Sequence, residues 1–141
     1  MSASPGFVAD ASVGVSWAVP SQGSDRANDL LDQIISGTPF VVPALWPFEV
    51  GNALLTLQRR GKIDPAHCTR ARTALQHLNP LIDDEGQRRA LAVVWQLADD
   101  HGLSLYDAAY LELAQRKGLA LASRDAGLNR AAKRCGVSTL L

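Results

Sequence analysis

Four carboxylates, Asp10, Glu49, Asp107 and Asp125, interrupt sequence that is otherwise apolar or small. Phe7-Val8-Ala9 runs straight into Asp10, and Leu119-Ala120-Leu121-Ala122 is followed, after Ser123 and Arg124, by Asp125. Glu49 is flanked by Trp46, Phe48, Val50 and Ala53, and Asp107 by Leu105, Tyr106, Ala108 and Ala109. No Lys or Arg lies three or four positions from Glu49 or Asp107. A carboxylate in apolar surroundings carries a desolvation penalty that something must offset. The offset comes from elsewhere in the fold or from a bound cation. Four oxygen donors without a Cys or His among them suit a hard ion such as Mg²⁺ or Mn²⁺. The chemistry that uses such an ion is phosphoryl transfer: it activates a bound water and neutralises charge on phosphate oxygens. Each acid alone also suits a structural role. Asp10 and Asp125 are placed to cap the helices that follow them. Ser104-Leu105-Tyr106-Asp107 resembles a capping box with Asp at its third position, and Glu49 fits an exposed helix face.

The elements that must position these acids are legible from spacing and end signals. Phe7–Ala9 and Phe40–Val42 read as short buried strands, Leu119–Ala122 as a fully apolar one, Pro80–Ile82 as a short strand or extended link, and Val137–Leu141 as a last short strand. Between them lie helices over 11–18, from the Ser24 cap to about Ile35, 43–60 with its prolines near the start, 65–77 behind the Asp64 cap, 85–100, 105–117 behind Ser104, and 125–134. In the helix over 85–100, Leu91, Val94, Trp95 and Ala98 form the inward stripe. Strands that are short apolar runs and alternate with helices indicate a parallel sheet buried on both faces. The expected fold class is α/β: a three-layer α/β/α sandwich with a central parallel sheet of four or five strands, in one domain over 1–141. Ligands in such sheets sit beyond the C-terminal strand ends, where Asp10 and Asp125 fall.

Composition narrows the remaining classes. An apolar share of 47% and a charged share of 20% exclude a disordered or fibrous chain. Fourteen basic residues balance fourteen acidic ones, so no cationic coat for nucleic acid exists, although a local basic patch does remain open. The balance is uneven along the chain: residues 1–58 hold five acids and one base, and residues 59–141 nine acids and thirteen bases. The longest uncharged run, Gln33 to Phe48, is broken by Pro39, Pro43 and Pro47 and is too short to span a membrane. The N-terminal stretch lacks a basic region and meets Asp10, so no secretory signal is expected and the cytoplasm is the expected location. Cys68 and Cys135 form no sequence motif with each other or with a histidine, and His67, His77 and His101 lack zinc-ligand spacing. A P-loop, a Gly-x-Gly-x-x-Gly turn and a serine nucleophile elbow are all missing. Trp17, Trp46 and Trp95 sit in apolar stretches and read as core or dimer contacts rather than base-stacking platforms.

Three stretches carry a family resemblance: Val8-Ala9-Asp10-Ala11-Ser12-Val13; Val42-Pro43-Ala44-Leu45-Trp46-Pro47-Phe48-Glu49-Val50-Gly51-Asn52-Ala53-Leu54; and Leu103-Ser104-Leu105-Tyr106-Asp107-Ala108-Ala109-Tyr110-Leu111 through Leu121-Ala122-Ser123-Arg124-Asp125. With the order and spacing of all four acids, they resemble a PIN-domain ribonuclease, specifically a VapC-type toxin of a VapBC toxin–antitoxin pair. The resemblance implies metal-dependent endonucleolytic cleavage of RNA, with Asp10, Glu49, Asp107 and Asp125 as catalytic and Mg²⁺- or Mn²⁺-binding residues. It makes Ser12 and Ser123 candidate hydroxyl helpers, and implies a homodimer and a cognate VapB-type antitoxin whose C-terminal segment covers the acidic cleft. The sequence departs from the family pattern where Thr is often found two residues before the last Asp; here that position is Ser123. Met1–Gly6 is a few residues longer than usual and is expected to fray. Arg124 and Arg130 are candidate contacts to substrate phosphate. Arg116 and Lys117 read as ordinary C-terminal helix charges. The competing class is a binding module: a PIN-like scaffold that holds RNA without cutting it, or an α/β signalling domain. A phosphoacceptor is disfavoured because Asp10 has no adjacent acid pair, and a scaffold because no acid is missing.

Overall fold

The computed structural model describes residues 5–141; the N-terminal residues 1–4, and with them most of the expected frayed segment, lie outside it. Four strands form one parallel sheet: β1 (Phe7–Ala9), β2 (Phe40–Pro43), β3 (Leu81–Asp83) and β4 (Ala120–Ala122), in the order β3-β2-β1-β4. Seven α-helices are described: α1 (Ala11–Ala18), α2 (Asp25–Ile35), α3 (Trp46–Arg59), α4 (Pro65–His77), α5 (Trp95–His101), α6 (Leu105–Lys117) and α7 (Ala126–Arg134). α1 packs on α2, α3 and α4, while α6 packs on α5 and α7 and lies across β1, β2 and β4. Helices on both sheet faces make the three-layer sandwich expected from the apolar runs, and Phe7, Val8, Ala9, Val42, Leu121 and Ala122 are all buried.

The first strand, β1, pairs with the last, β4, at one side of the sheet. Phe7, Val8 and Ala9 are in register with Ala120, Leu121 and Ala122, so the residues after each strand emerge together. Asp10 extends that register by one step: its N–H donates to the Ala122 carbonyl at 3.0 Å. Gly14 lets α1 approach α3. A Cβ at that position would lie 2.8 Å from the ring of Trp46.

Three expectations need correction. The fifth strand is reduced to a single parallel bridge between Leu121 and Thr139, held by bonds from Leu121 N–H to Ser138 O and from Leu140 N–H to Leu121 O. The helix expected from Pro43 begins at Trp46, because Pro43 is still in β2 and in register with Asp83. The helix expected over 85–100 is a 3₁₀ turn (Gly86–Arg89), a π-helical segment (Ala90–Val94) and then α5. A π segment adds a residue per turn, which rotates the 3.6-residue stripe away from the core. Val94 is buried as expected, whereas Leu91 is 88% and Trp95 51% exposed. Both cysteines are free, and the fold brings Cys135 Sγ to 3.3 Å from His101 Nε2, a contact across 34 residues that no local motif announces. No described helix is long and apolar enough to cross a membrane.

Candidate active site

Asp10 ends β1 and caps α1. Its Oδ1 accepts from the Val13 N–H (3.2 Å) and from Ser12 Oγ (2.6 Å), and its Oδ2 accepts from Ser123 Oγ. The Trp46 indole N–H donates to the Asp10 carbonyl at 3.3 Å, fixing the backbone as well. The carboxylate is 6% exposed. Burial pushes its pKa above the ordinary 3.8 despite three stabilising hydrogen bonds, and the charge of Asp125 pushes in the same direction.

The two serines stitch the strand ends together. Ser123, fully buried, donates to Asp10 and accepts from the Asp125 N–H at 2.9 Å. Ser12 donates to Asp10 and accepts from the Arg124 N–H at 3.1 Å. Asp125 caps α7 by accepting from the Leu128 N–H at 3.0 Å and is exposed. The capping role and the membership of an acidic group therefore coexist in Asp10 and Asp125: capping engages one oxygen of each and leaves the other directed elsewhere.

Glu49 and Asp107 come from two different helices, and the charge of Asp107 is felt at Glu49. Glu49 lies in the first turn of α3, half-buried, and its pKa is raised first by burial and then by the charges of Asp107 and Asp10. Asp107 lies in the first turn of α6, where Ser104 Oγ accepts from its N–H at 3.0 Å. Burial, then Asp125 and Asp10, raise its pKa. Each of the four acids thus shares a charge–charge interaction with at least one other, and among the described residues none of them forms an ion pair with Lys, Arg or His.

Tyr110 joins this group without having been singled out from the sequence. Its hydroxyl donates to Glu49 Oε1 at 2.6 Å across 61 residues, and the ring is 1% exposed. Burial and the adjacent Glu49 carboxylate keep the phenol protonated well above its ordinary range. The available signal was its place one helical turn after Asp107, on the same face of α6.

The basic residues separate. The Arg124 guanidinium donates to the Gln22 carbonyl, and Arg130 is exposed and unpaired among the described residues. Arg116 is no mere C-terminal helix charge: it bonds Asp83 and Glu112 through its guanidinium, with Glu85 beside them. A groove of about 460 Å³ opens beside Ser12, Glu49 and Arg124, over Ala11, Val15, Ala53 and Leu57. Among the described residues, no three His, Cys, Asp or Glu side chains are gathered closely enough to enclose an ion as they stand. By donor chemistry the set fits a hard divalent cation: all oxygen, mutually repelling, and without a protein counter-charge.

A family model described as "PIN domain" matches residues 7–134. No curated protein matches the chain. Among solved structures, PAE2754 from Pyrobaculum aerophilum is similar at 25% identity and a TM-score of 0.70, over 96% of this chain and 83% of that one. FitAcB from Neisseria gonorrhoeae shares the fold, with a TM-score of 0.65 at 20% identity and 96% coverage of both chains.

Proposed function

We propose a function from one premise: the chain belongs to the PIN-domain family, whose members are generally nucleases. On that premise the protein is an endoribonuclease that hydrolyses RNA phosphodiester bonds with Mg²⁺ or Mn²⁺, and is the toxin of a type II toxin–antitoxin pair of the VapBC kind. The observation that supports this reading is the mutual charge coupling of Asp10, Glu49, Asp107 and Asp125 with no protein cation among them. Carboxylates that raise one another's proton affinity carry a cost that a divalent ion would offset.

Asp10, Glu49, Asp107 and Asp125 would hold the ion. When bound, it supplies an acidified water and neutralises charge on the phosphate being cleaved. The protein's share is arrangement. Ser12 and Ser123 orient Asp10 by occupying one lone pair on each oxygen. Glu49 and Asp107, half-buried and raised in proton affinity by burial and by neighbouring acids, would release that strain on holding the ion. Arg124 and Arg130, both exposed near the last acid, supply contacts to the RNA backbone. The working form is a homodimer in the cytoplasm, and a VapB-type antitoxin silences it by laying its C-terminal segment over the acidic cleft.

The test is cleavage of purified RNA with and without EDTA, by wild type and by Asp10→Asn. Cleavage that needs the divalent ion and is lost in the variant supports the reading. Cleavage in EDTA, or full activity of the variant, overturns it. Metal-dependent RNA binding without cleavage favours the scaffold instead.

A further inference from the structure

We infer that Tyr110 is a positioning residue for Glu49, holding the α3 carboxylate against α6 so that Glu49 and Asp107 present their oxygens to one shared ion. The inference rests on the divalent-ion reading above and extends it to a residue outside the acidic set. Glu49 is half-buried and carries a long side chain. Its only side-chain hydrogen bond among the described residues is the 2.6 Å bond from Tyr110. Without that bond the carboxylate is free to swing toward the groove beside Ser12 and Arg124, which Glu49 also lines. The donor itself cannot move: Tyr110 is 1% exposed, inside a run of buried residues from Tyr110 to Ala114 that seats α6 on the sheet. Tyr110 follows Asp107 by one helical turn, so a single rigid helix carries one acid directly and tethers a second through the phenol. Only Oε1 is engaged, which leaves Oε2 for a ligand. Partners that orient a metal-binding carboxylate typically matter by ~10- to 100-fold in ion affinity.

Calorimetric titration of the full chain with Mn²⁺ tests this, using wild type, Tyr110→Phe, Glu49→Gln and the double variant. Tyr110→Phe is expected to bind Mn²⁺ about tenfold more weakly, with a melting temperature in EDTA close to wild type. In the Glu49→Gln background the same change is expected to add no further loss. Equal Mn²⁺ affinity in wild type and Tyr110→Phe overturns the inference and leaves the divalent-ion reading intact, as does an undiminished loss in the Glu49→Gln background. A wild type that takes up no Mn²⁺ overturns both. A second measurement does not depend on that variant folding. The chain has two tyrosines, so ¹³C labelling with Tyr106→Phe for assignment isolates the Tyr110 ring signal. That signal is expected to shift in step with Mg²⁺ binding, and a signal that stays fixed while Mg²⁺ binds refutes the tether.

Discussion

Asp10 and Asp83 begin from nearly identical positions and end in opposite states. Each stands at the end of a strand, each is buried, and each caps the turn that follows: Asp10 through the Val13 N–H and Asp83 through the Gly86 N–H at 2.9 Å. Around Asp83 the protein supplies its own cation. Arg116 bonds both Asp83 oxygens at 2.7 and 2.9 Å and reaches Glu112 at 2.8 Å, and its hydrogen bonds hold Asp83 below the ordinary carboxylate range. Around Asp10 there are only hydroxyls, an amide and other acids, and burial lifts its pKa. The helix α6 contributes to both clusters, with Asp107 and Tyr110 toward its start and Glu112 and Arg116 toward its end. The comparison separates a finished ion-pair network, which locks β3 to α6, from an acidic group to which the described residues supply no counter-charge.

The largest effect that would sharpen this contrast is on activity. Asp10→Asn keeps a capping side chain and so keeps the fold, while RNA cleavage in Mn²⁺ is expected to fall by on the order of a thousandfold. Next comes Arg116→Met, which strands Asp83 and Glu112 as buried charges and is expected to cost about 3–5 kcal/mol by denaturant unfolding, with cleavage per folded molecule unchanged. A variant as stable as wild type would mean the network is dispensable. Third, saturating Mn²⁺ is expected to raise wild-type stability by about 2.7 kcal/mol at a hundredfold excess over Kd. Arg116→Met should gain the same increment and Asp10→Asn little of it. Equal gains in all three would remove the distinction between the clusters.

The smallest effect is on pH dependence without metal. Asp10, Glu49 and Asp107 have folded-state pKa values above their unfolded ones. Their contribution is therefore complete below the unfolded values near 4 and is lost as pH rises through the folded ones. Asp83 has the reverse sign: its contribution is present above its unfolded 3.8 and is lost as pH falls through the lowered folded value. In EDTA, the melting temperature should rise modestly as pH is lowered from neutrality toward the unfolded values. Asp107→Asn should flatten that rise and be no less stable than wild type at pH 7.5. A clear loss of stability in this variant would make Asp107 a structural cap and nothing more.

Local signals carried much of this protein. The caps at Asp10, Ser24, Asp64, Ser104 and Asp125 all bond the N–H groups their spacing indicates, because a cap is decided within four residues. Short apolar runs likewise sufficed for the parallel sheet and its three layers, since a strand buried on both faces leaves no polar alternation to misread. The positions of the four acids at strand ends and helix starts belong to the same local grammar.

What only the tertiary structure decided involves partners far apart in the chain. The Tyr110–Glu49 bond spans 61 residues and the Arg116–Asp83 pair 33, and nothing near either residue names the other. Arg116 therefore read as a helix-end charge, and Tyr110 drew no reading of its own. The π segment over Ala90–Val94 and the reduction of the last strand to one bridge have the same origin, for each depends on how a short segment settles against elements already packed. Spacing determines where a side chain can point, whereas the charge state of a buried carboxylate depends on whether the fold delivers a cation to it.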